Sequence, residues 1–381
     1  MNRVVLHPLA SYDRAACETA LTELLAPLGG MVAFVQPGQR VLIKPNMLAG
    51  KSPDRAVTTH PEIVRAVIRQ VQDAGGEALV GDSPGVGSCV QVARKCGILA
   101  VVEETGARLV PFAESLPASH PGATFHHLEL AREVFEADLI INLPKLKTHQ
   151  MMGLTCAVKN LFGAVVGMRK PQLHLQAGSD KAQFAQMLLD LAGHLQPALS
   201  IVDAVVAMQG DGPGSGDPIA VGALLAGENP LAVDAAALEL LGLEAADCWT
   251  QKIACAQSLP GASLTEVEVL GTNPQALRPR SFRPAKATDV SFGVPPLLRR
   301  HLRRSLSALP AIDAQRCSGC GLCIEHCPPT AMAMNKHLPH IDLKRCIGCF
   351  CCQELCPRGA ILTRQGLLLR LSRFLFRAPQ T

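Results

Sequence analysis

Apolar and polar positions over the first 270 residues follow two rhythms. Short β-branched runs read as strands: "RVVLH" (3–7), "RVLIKPN" (40–46), "EALVGDSPG" (77–85), "ADLIINLPK" (137–145) and "ALSIVDAVV" (198–206). Between several of them the spacing is helical. In "PEIVRAVIRQVQDAG", Ile63, Val64, Val67, Ile68 and Val71 share one face, and Gly75 and Gly76 end the run. Strands alternating with helices predict an α/β body, with a largely parallel or mixed sheet, over residues 1–272.

Beyond 272 the rhythm stops. Residues 273–310 are rich in Pro and Arg and read as a linker, in which "LLRRHLRRSLSAL" (297–309) has the pattern of a short basic helix. Residues 311–363 hold an internal repeat: "IDAQRCSGCGLCIEHCPPTAM" returns as "IDLKRCIGCFCCQELCPRGAI" at a period of 29 residues, which marks a duplicated supersecondary unit. The expected result is a small α+β ferredoxin-like domain. The tail, 364–381, carries Arg370, Arg373 and Arg377 on one helical face with leucines and phenylalanines around the rest. It reads as a terminal helix packed on the protein itself, in preference to one lying on a membrane surface.

Composition narrows the class. The chain has 381 residues, 48% of them hydrophobic and 18% charged, which is enough apolar material for a sizeable core. No run of eighteen apolar residues occurs and the N-terminus has no secretory pattern, so a cytoplasmic protein is expected. Residues 278–304 carry +7 and residues 362–381 carry +4 against a net +4, so the basic charge sits in linker and tail. That distribution argues against a nucleic-acid-binding face.

The fifteen cysteines change the picture most. In a cytosolic chain they point to metal rather than disulfides. The repeat gives Cys317-x2-Cys320-x2-Cys323-x3-Cys327-Pro328 and Cys346-x2-Cys349-x2-Cys352-x3-Cys356-Pro357, the bacterial ferredoxin run, in which the fourth cysteine of each unit serves the other cluster. Two [4Fe–4S] clusters are therefore expected. One would be held by Cys317, Cys320, Cys323 and Cys356, the other by Cys346, Cys349, Cys352 and Cys327. Paired zinc sites are the competing reading. Cys351 is out of register and is expected to point elsewhere, as a small buried residue or a spare thiol. Cys17, Cys89, Cys96, Cys156, Cys248 and Cys255 read as small hydrophobes.

In the body, strands run out into polar residues at four places: Lys44 and Asn46; Asp82 and Ser83; Lys145, Lys147 and His149; and the glycine-rich stretch with Gly210, Asp211 and Gly212. Ligands bind outside the carboxyl ends of strands in open α/β sheets, so these groups are expected to meet at one edge. Thr58, Thr59 and His60 precede a helix, where they can cap it or hold an anion. Lys159 and Asn160 in "AVKNLFG" are further candidates. His7, His120, His174 and His194 read as capping or surface residues. No P-loop ending and no dinucleotide fingerprint is present.

Taken together, "LIKPN", "TTHP", "GDSPG", "NLPKLKTH", "GLTCAVKNLFG" and "MQGDGPGSG" resemble the domain of unknown function 362, a family of iron–sulfur-centre proteins of which many members carry the same two-cluster unit. The resemblance implies a shared fold and a site at these loops, and it supplies no substrate. The expected function is electron transfer from two clusters to a small anionic substrate or cofactor in the body. Lys44, Lys145 and Lys147 would hold negative charge, His60 and His149 would donate protons, and Asp82 and Asp211 would orient ligand or cations. An electron donor or acceptor protein is the expected partner. The rival expectation is a non-enzymatic carrier whose body only docks to a larger complex. A third is a ligase-like body with structural clusters.

Overall fold

The computed structural model describes residues 2–119, 127–286, 305, 307–367 and 369–370. In chain order the strands of the body are β1 (Asn2–Pro8), β2 (Arg40–Pro45), β3 (Glu77–Val80), β4 (Arg108–Leu109), β5 (Ser115–Ser119), β6 (His127–Ala131), β7 (Leu139–Leu143), β8 (Lys145–His149), β9 (Gly153–Thr155), β10 (Leu199–Gln209), β11 (Asp217–Gly227) and β12 (Val267–Gly271). Ten of them form one mixed sheet in the order β12-β1-β11-β10-β7-β2-β3-β4, with β8 paired to β10 and β9 to β8. The β10-β7-β2-β3-β4 half is parallel, whereas β11 runs antiparallel to both β1 and β10. β5 and β6 make a separate hairpin.

β2 shows why the centre is stable. Val41 and Ile43 face one side and Leu42 the other, and all three are fully buried, as a strand covered on both faces requires. Helices Arg14–Leu25, Pro61–Asp73, Cys89–Lys95 and Ile98–Thr105 cover the first face. Arg169–Ala177, Lys181–Leu195 and Trp249–Ala256 cover the second. A third apolar cluster joins helix Pro230–Leu241 to β1 and β11.

The five expected strands lie where the β-branched runs placed them, and helix Pro61–Asp73 ends beside the expected glycines. Two features differ. β11 follows an alanine- and glycine-bearing run that lacks β-branched density, and β12, "VEVLG", was not among the expected strands. And "KLKTH", read as a strand exit, is itself the strand β8, with all five residues buried. The chain turns at Pro144 and continues along β10, so a lysine-rich segment becomes interior.

The C-terminal unit is built from β13 (Ala308–Ile312) paired antiparallel with β16 (Ile361–Gln365), and β14 (Met332–Asn335) paired with β15 (Leu338–Ile341). Two short helices, Leu322–Glu325 and Cys351–Leu355, carry the third cysteine of each repeat. The sequence repeat is also a hydrogen-bond repeat. Cys317 N–H donates to the Asp313 carbonyl and Cys346 N–H to that of Asp342; Asp313 N–H reaches the Ala360 carbonyl and Asp342 N–H that of Ala331, so each half is tied to the other. The protein is an α/β body plus a small ferredoxin-like domain.

Residues 278–286 lie along the body rather than apart from it. Arg278 bonds the Glu239 carbonyl, Arg283 O accepts from Gly210 N–H, and Lys286 O accepts from Gln150. The rest of the expected linker, 287–304, His120, and the tail from 371 onward lie outside the described residues. Among the described residues no helix is long and apolar enough to cross a membrane.

Candidate functional site

Strand alternation sends Lys145, Lys147 and His149 to one side of β8. Their surroundings then separate them. The Lys145 amine donates to Asp203 Oδ2 at 2.8 Å and to the Tyr12 hydroxyl at 2.7 Å. His60 stacks on the Tyr12 ring at 3.5 Å, donates its backbone N–H to Asp203 Oδ2, and caps helix Pro61–Asp73 by accepting from Glu62 N–H at Nδ1. Burial pushes His60 down to about 4, so it is neutral. Lys145 and His60 thus form a closed network with Tyr12 and Asp203. They were expected at the ligand site, but Asp203 draws them away from it.

Lys147, on the same side, meets different partners and lines a cavity of about 260 Å³ between the body and the cysteine-bearing domain. Its amine donates to Val57 O at 2.7 Å and Asn46 Oδ1 at 2.9 Å. Asn46 donates on to Asn160 Oδ1, and Asn160 to Asn142 Oδ1, so three amides fix one another and the lysine. Asp82 and Ser83 line the cavity from the β3 exit. Asp82 pairs with Lys44 at 2.8 Å and accepts from Met47 N–H. A Cβ at Gly163 would strike both members of that pair, so only glycine fits there. Ser83 is held by Lys170, whose amine donates to its hydroxyl at 2.8 Å.

Lys159 differs from its neighbours. It lines the cavity, is 8% exposed, and its amine sits 4.6 Å over the Phe162 ring. Among the described residues its amine has no hydrogen-bond acceptor and no ion-pair partner. Burial pushes Lys147 and Lys170 down to about 7 and lowers Lys159 as well. Such lysines gain most from a bound negative charge.

The opposite wall belongs to the cysteine-bearing domain: His326, Cys351, Glu354 and Leu355. Glu354 faces His149 Nε2 at 3.4 Å. His149 accepts backbone N–H bonds from Met151 and Met152 at Nδ1, so its proton is on the nitrogen facing Glu354. Burial would raise the Glu354 carboxyl; His149, Lys159 and His174 outweigh it and keep it ionised. The Gly210–Gly212 stretch does not line this cavity. Asp211 pairs with Lys286, Gly212 O accepts from Gln150 N–H, and a Cβ at Gly214 would press on the Glu354 carbonyl. The stretch packs the domain joint, beside Pro213 at the cavity.

Three residues of this site were not singled out from the sequence. His174, expected as a capping or surface residue, is 3% exposed, stacked 4.1 Å from the Phe184 ring, and lines the cavity. Lys170 resembles a surface residue in "GMRKPQ", and Glu354 sits between cluster cysteines in a region read only for thiols. Cys351 is buried, as expected, but its thiol contacts Cys349 and faces the cavity.

The eight motif cysteines gather in two sets. Cys323 has Cys356, Cys320 and Cys317 as electrostatic neighbours. Cys352 has Cys349, Cys346 and Cys327, ahead of Cys323, as electrostatic neighbours. Backbone N–H groups of Ala331 and Ala360 each donate to the sulfur of the crossing cysteine, Cys327 and Cys356, at 3.2 Å. Soft thiolates in fours, with amide donors to sulfur, suit iron–sulfur clusters.

A family model described as a domain of unknown function, DUF362, matches residues 41–239, and a 4Fe-4S dicluster domain matches 309–357. The chain is 40% identical over 292 residues to thylakoid-associated protein sll1697 of Synechocystis sp., covering 76% of this chain and 90% of that protein. Among solved structures, the lactate racemase apoprotein from Thermoanaerobacterium thermosaccharolyticum aligns at 14% identity with a TM-score of 0.39, over 59% of this chain and 54% of that one.

Proposed function

The chain belongs to the DUF362 family and carries a 4Fe-4S dicluster domain, and on that footing we propose that it is an oxidoreductase that passes electrons to an anionic substrate or cofactor in the cavity between body and clusters. The observation that supports this most is the composition of the cavity wall. Cations of the body, Lys147, Lys159 and Lys170, line one side. The other side is the helix Cys351–Leu355, which also bears the cluster ligand Cys352 and adjoins Cys349.

Each group then has a task. Cys317, Cys320, Cys323 and Cys356 would hold one [4Fe–4S] cluster; Cys346, Cys349, Cys352 and Cys327 would hold the other. When bound, the clusters supply one electron at a time, received from an external donor protein. Lys147, Lys159 and Lys170 bind the acceptor's negative charge in a place where water is largely excluded. The asparagine chain keeps Lys147 aimed. His149 and Glu354 form a buried acid–base pair at the same wall and can move a proton as the acceptor gains charge. A body that only docked to a larger complex would have no use for an unpaired, buried Lys159.

The test is anaerobic turnover. Dithionite-reduced protein, mixed with candidate anionic acceptors, is followed by the return of the oxidised-cluster absorbance. Wild type should be reoxidised at least a hundredfold faster than a Lys147→Met, Lys159→Met double variant with the same iron content. Equal reoxidation rates with every acceptor would refute the assignment.

A further inference from the structure

At the floor of the same cavity, the geometry points to a third metal centre: a mononuclear divalent transition-metal site formed by His174, Cys351 and Glu354. One ligand atom from each of these residues lies within 4.8 Å of the other two. That separation fits three donors around one ion. It is too short for three thiolates spread around a four-iron cube, and none of the three residues belongs to the expected cluster sets.

Three further observations support a ligand here. The His174 imidazole is 3% exposed and its Nδ1 has no hydrogen-bond partner. A buried, unpartnered ring nitrogen is costly unless something takes its lone pair or proton. Second, the carboxylate is oriented from behind. His149, with its proton directed at Glu354, stands where metal sites place the group that fixes a ligating carboxylate. Third, the ring of His174 is locked between Phe184, stacked at 4.1 Å, and Phe162, edge-on at 5.8 Å, so the donor is preorganised.

The donor set names the metal class. One thiolate, one imidazole and one carboxylate suit a borderline ion such as zinc or ferrous iron, and exclude calcium and magnesium. Three protein donors leave a coordination position open toward the cavity, the arrangement of a reactive rather than a structural site. On binding, the Cys351 thiol gives up its proton to solvent. Lys159, which faces Glu354, offsets its negative charge in the metal-free protein. The site also accounts for the second repeat. Cys351 stands where the first repeat has Leu322, 29 residues earlier, and only the second repeat faces the body's cavity with a thiol. The metal site stands without the anionic-acceptor assignment, and its test does not use turnover.

Zinc is the probe. Protein with both clusters reconstituted anaerobically is incubated with zinc, desalted, and assayed for zinc, iron and sulfide; the zinc K-edge absorption spectrum is then recorded. Wild type should hold one zinc per chain with iron and sulfide unchanged, and show a single Zn–S contact near ~2.3 Å. Cys351→Ser and His174→Gln should each weaken zinc binding at least a hundredfold while keeping their iron and sulfide. His149→Gln, which removes only the orienting partner, should weaken it roughly tenfold to a hundredfold. The assignment is overturned by zinc taken up only at the expense of iron, by no zinc at all in wild type, or by Cys351→Ser and His174→Gln proteins that bind zinc as wild type does.

Discussion

At the scale of single residues, burial decides what each charge can do. Lys44 and Asp82 are 1% and 4% exposed and answer each other at 2.8 Å. Asp82→Ala leaves the Lys44 ammonium buried without its counter-ion, at a cost of about 3–5 kcal/mol. Thermal unfolding should show a fall in Tm of roughly 5 °C. A Lys44→Met, Asp82→Leu double variant should recover most of it. Lys147 and Lys170, pushed down to about 7 by burial, set a pH dependence. Both are charged below that value and lose the proton above it, so anion affinity is present at low pH and is lost as pH rises through 7. Calorimetry with sulfate, which stays dianionic throughout, should show weaker binding at pH 8.5 than at pH 6. Lys159→Met should cost about 1.5–3 kcal/mol of sulfate binding, roughly tenfold to a hundredfold. The sequence announced Lys147, Lys159, Asn46 and Asp82 because each breaks an apolar run. It could not announce that Asp203 would claim Lys145 and His60. That pairing joins positions 58 and 143 residues apart, set by how β8 and the Pro61–Asp73 helix lie on β10.

At the scale of elements, the two cysteine repeats behave as one interlocked unit. Each half is bonded to the other through Asp313–Ala360 and Asp342–Ala331, and each sends its fourth cysteine across. Removing a crossing cysteine should therefore damage the cluster of the opposite repeat. Cys352→Ser and Cys327→Ser should lose the same cluster, leaving about four irons of eight, and Cys356→Ser should lose the other. Cys351→Ser should keep both. Iron and sulfide analysis with electron paramagnetic resonance checks all four. This unit was legible from spacing alone, because cluster chemistry dictates loop length. The sheet was legible where strands are β-branched, as in β2, β7 and β10. It was not legible in β11, whose "VGALLAG" reads equally as helix, nor in β8, where polar side chains concealed a strand that pairs with β10 and is buried mainly among body residues.

For the whole molecule, the proposed function rests on the joint between body and cluster domain. His149 meets Glu354, Lys51 bonds the Pro357 carbonyl at 2.7 Å, and the backbone at Gly214 lies close against that of Glu354. These contacts put the Cys349-bearing loop against a pocket of lysines. Neither domain contains the pocket by itself, which is why His174 and Glu354 gave no signal in the sequence: each acquires its role from a partner in the other domain. The most direct measurement is a redox titration of both clusters, with and without sulfate, in wild type and Lys159→Met. A negative ion beside a cluster disfavours its reduction. The account predicts that sulfate makes one cluster potential more negative, that of the cluster held by Cys349, and that the shift disappears in Lys159→Met. Potentials indifferent to sulfate, or a shift that survives the loss of Lys159, would contradict it.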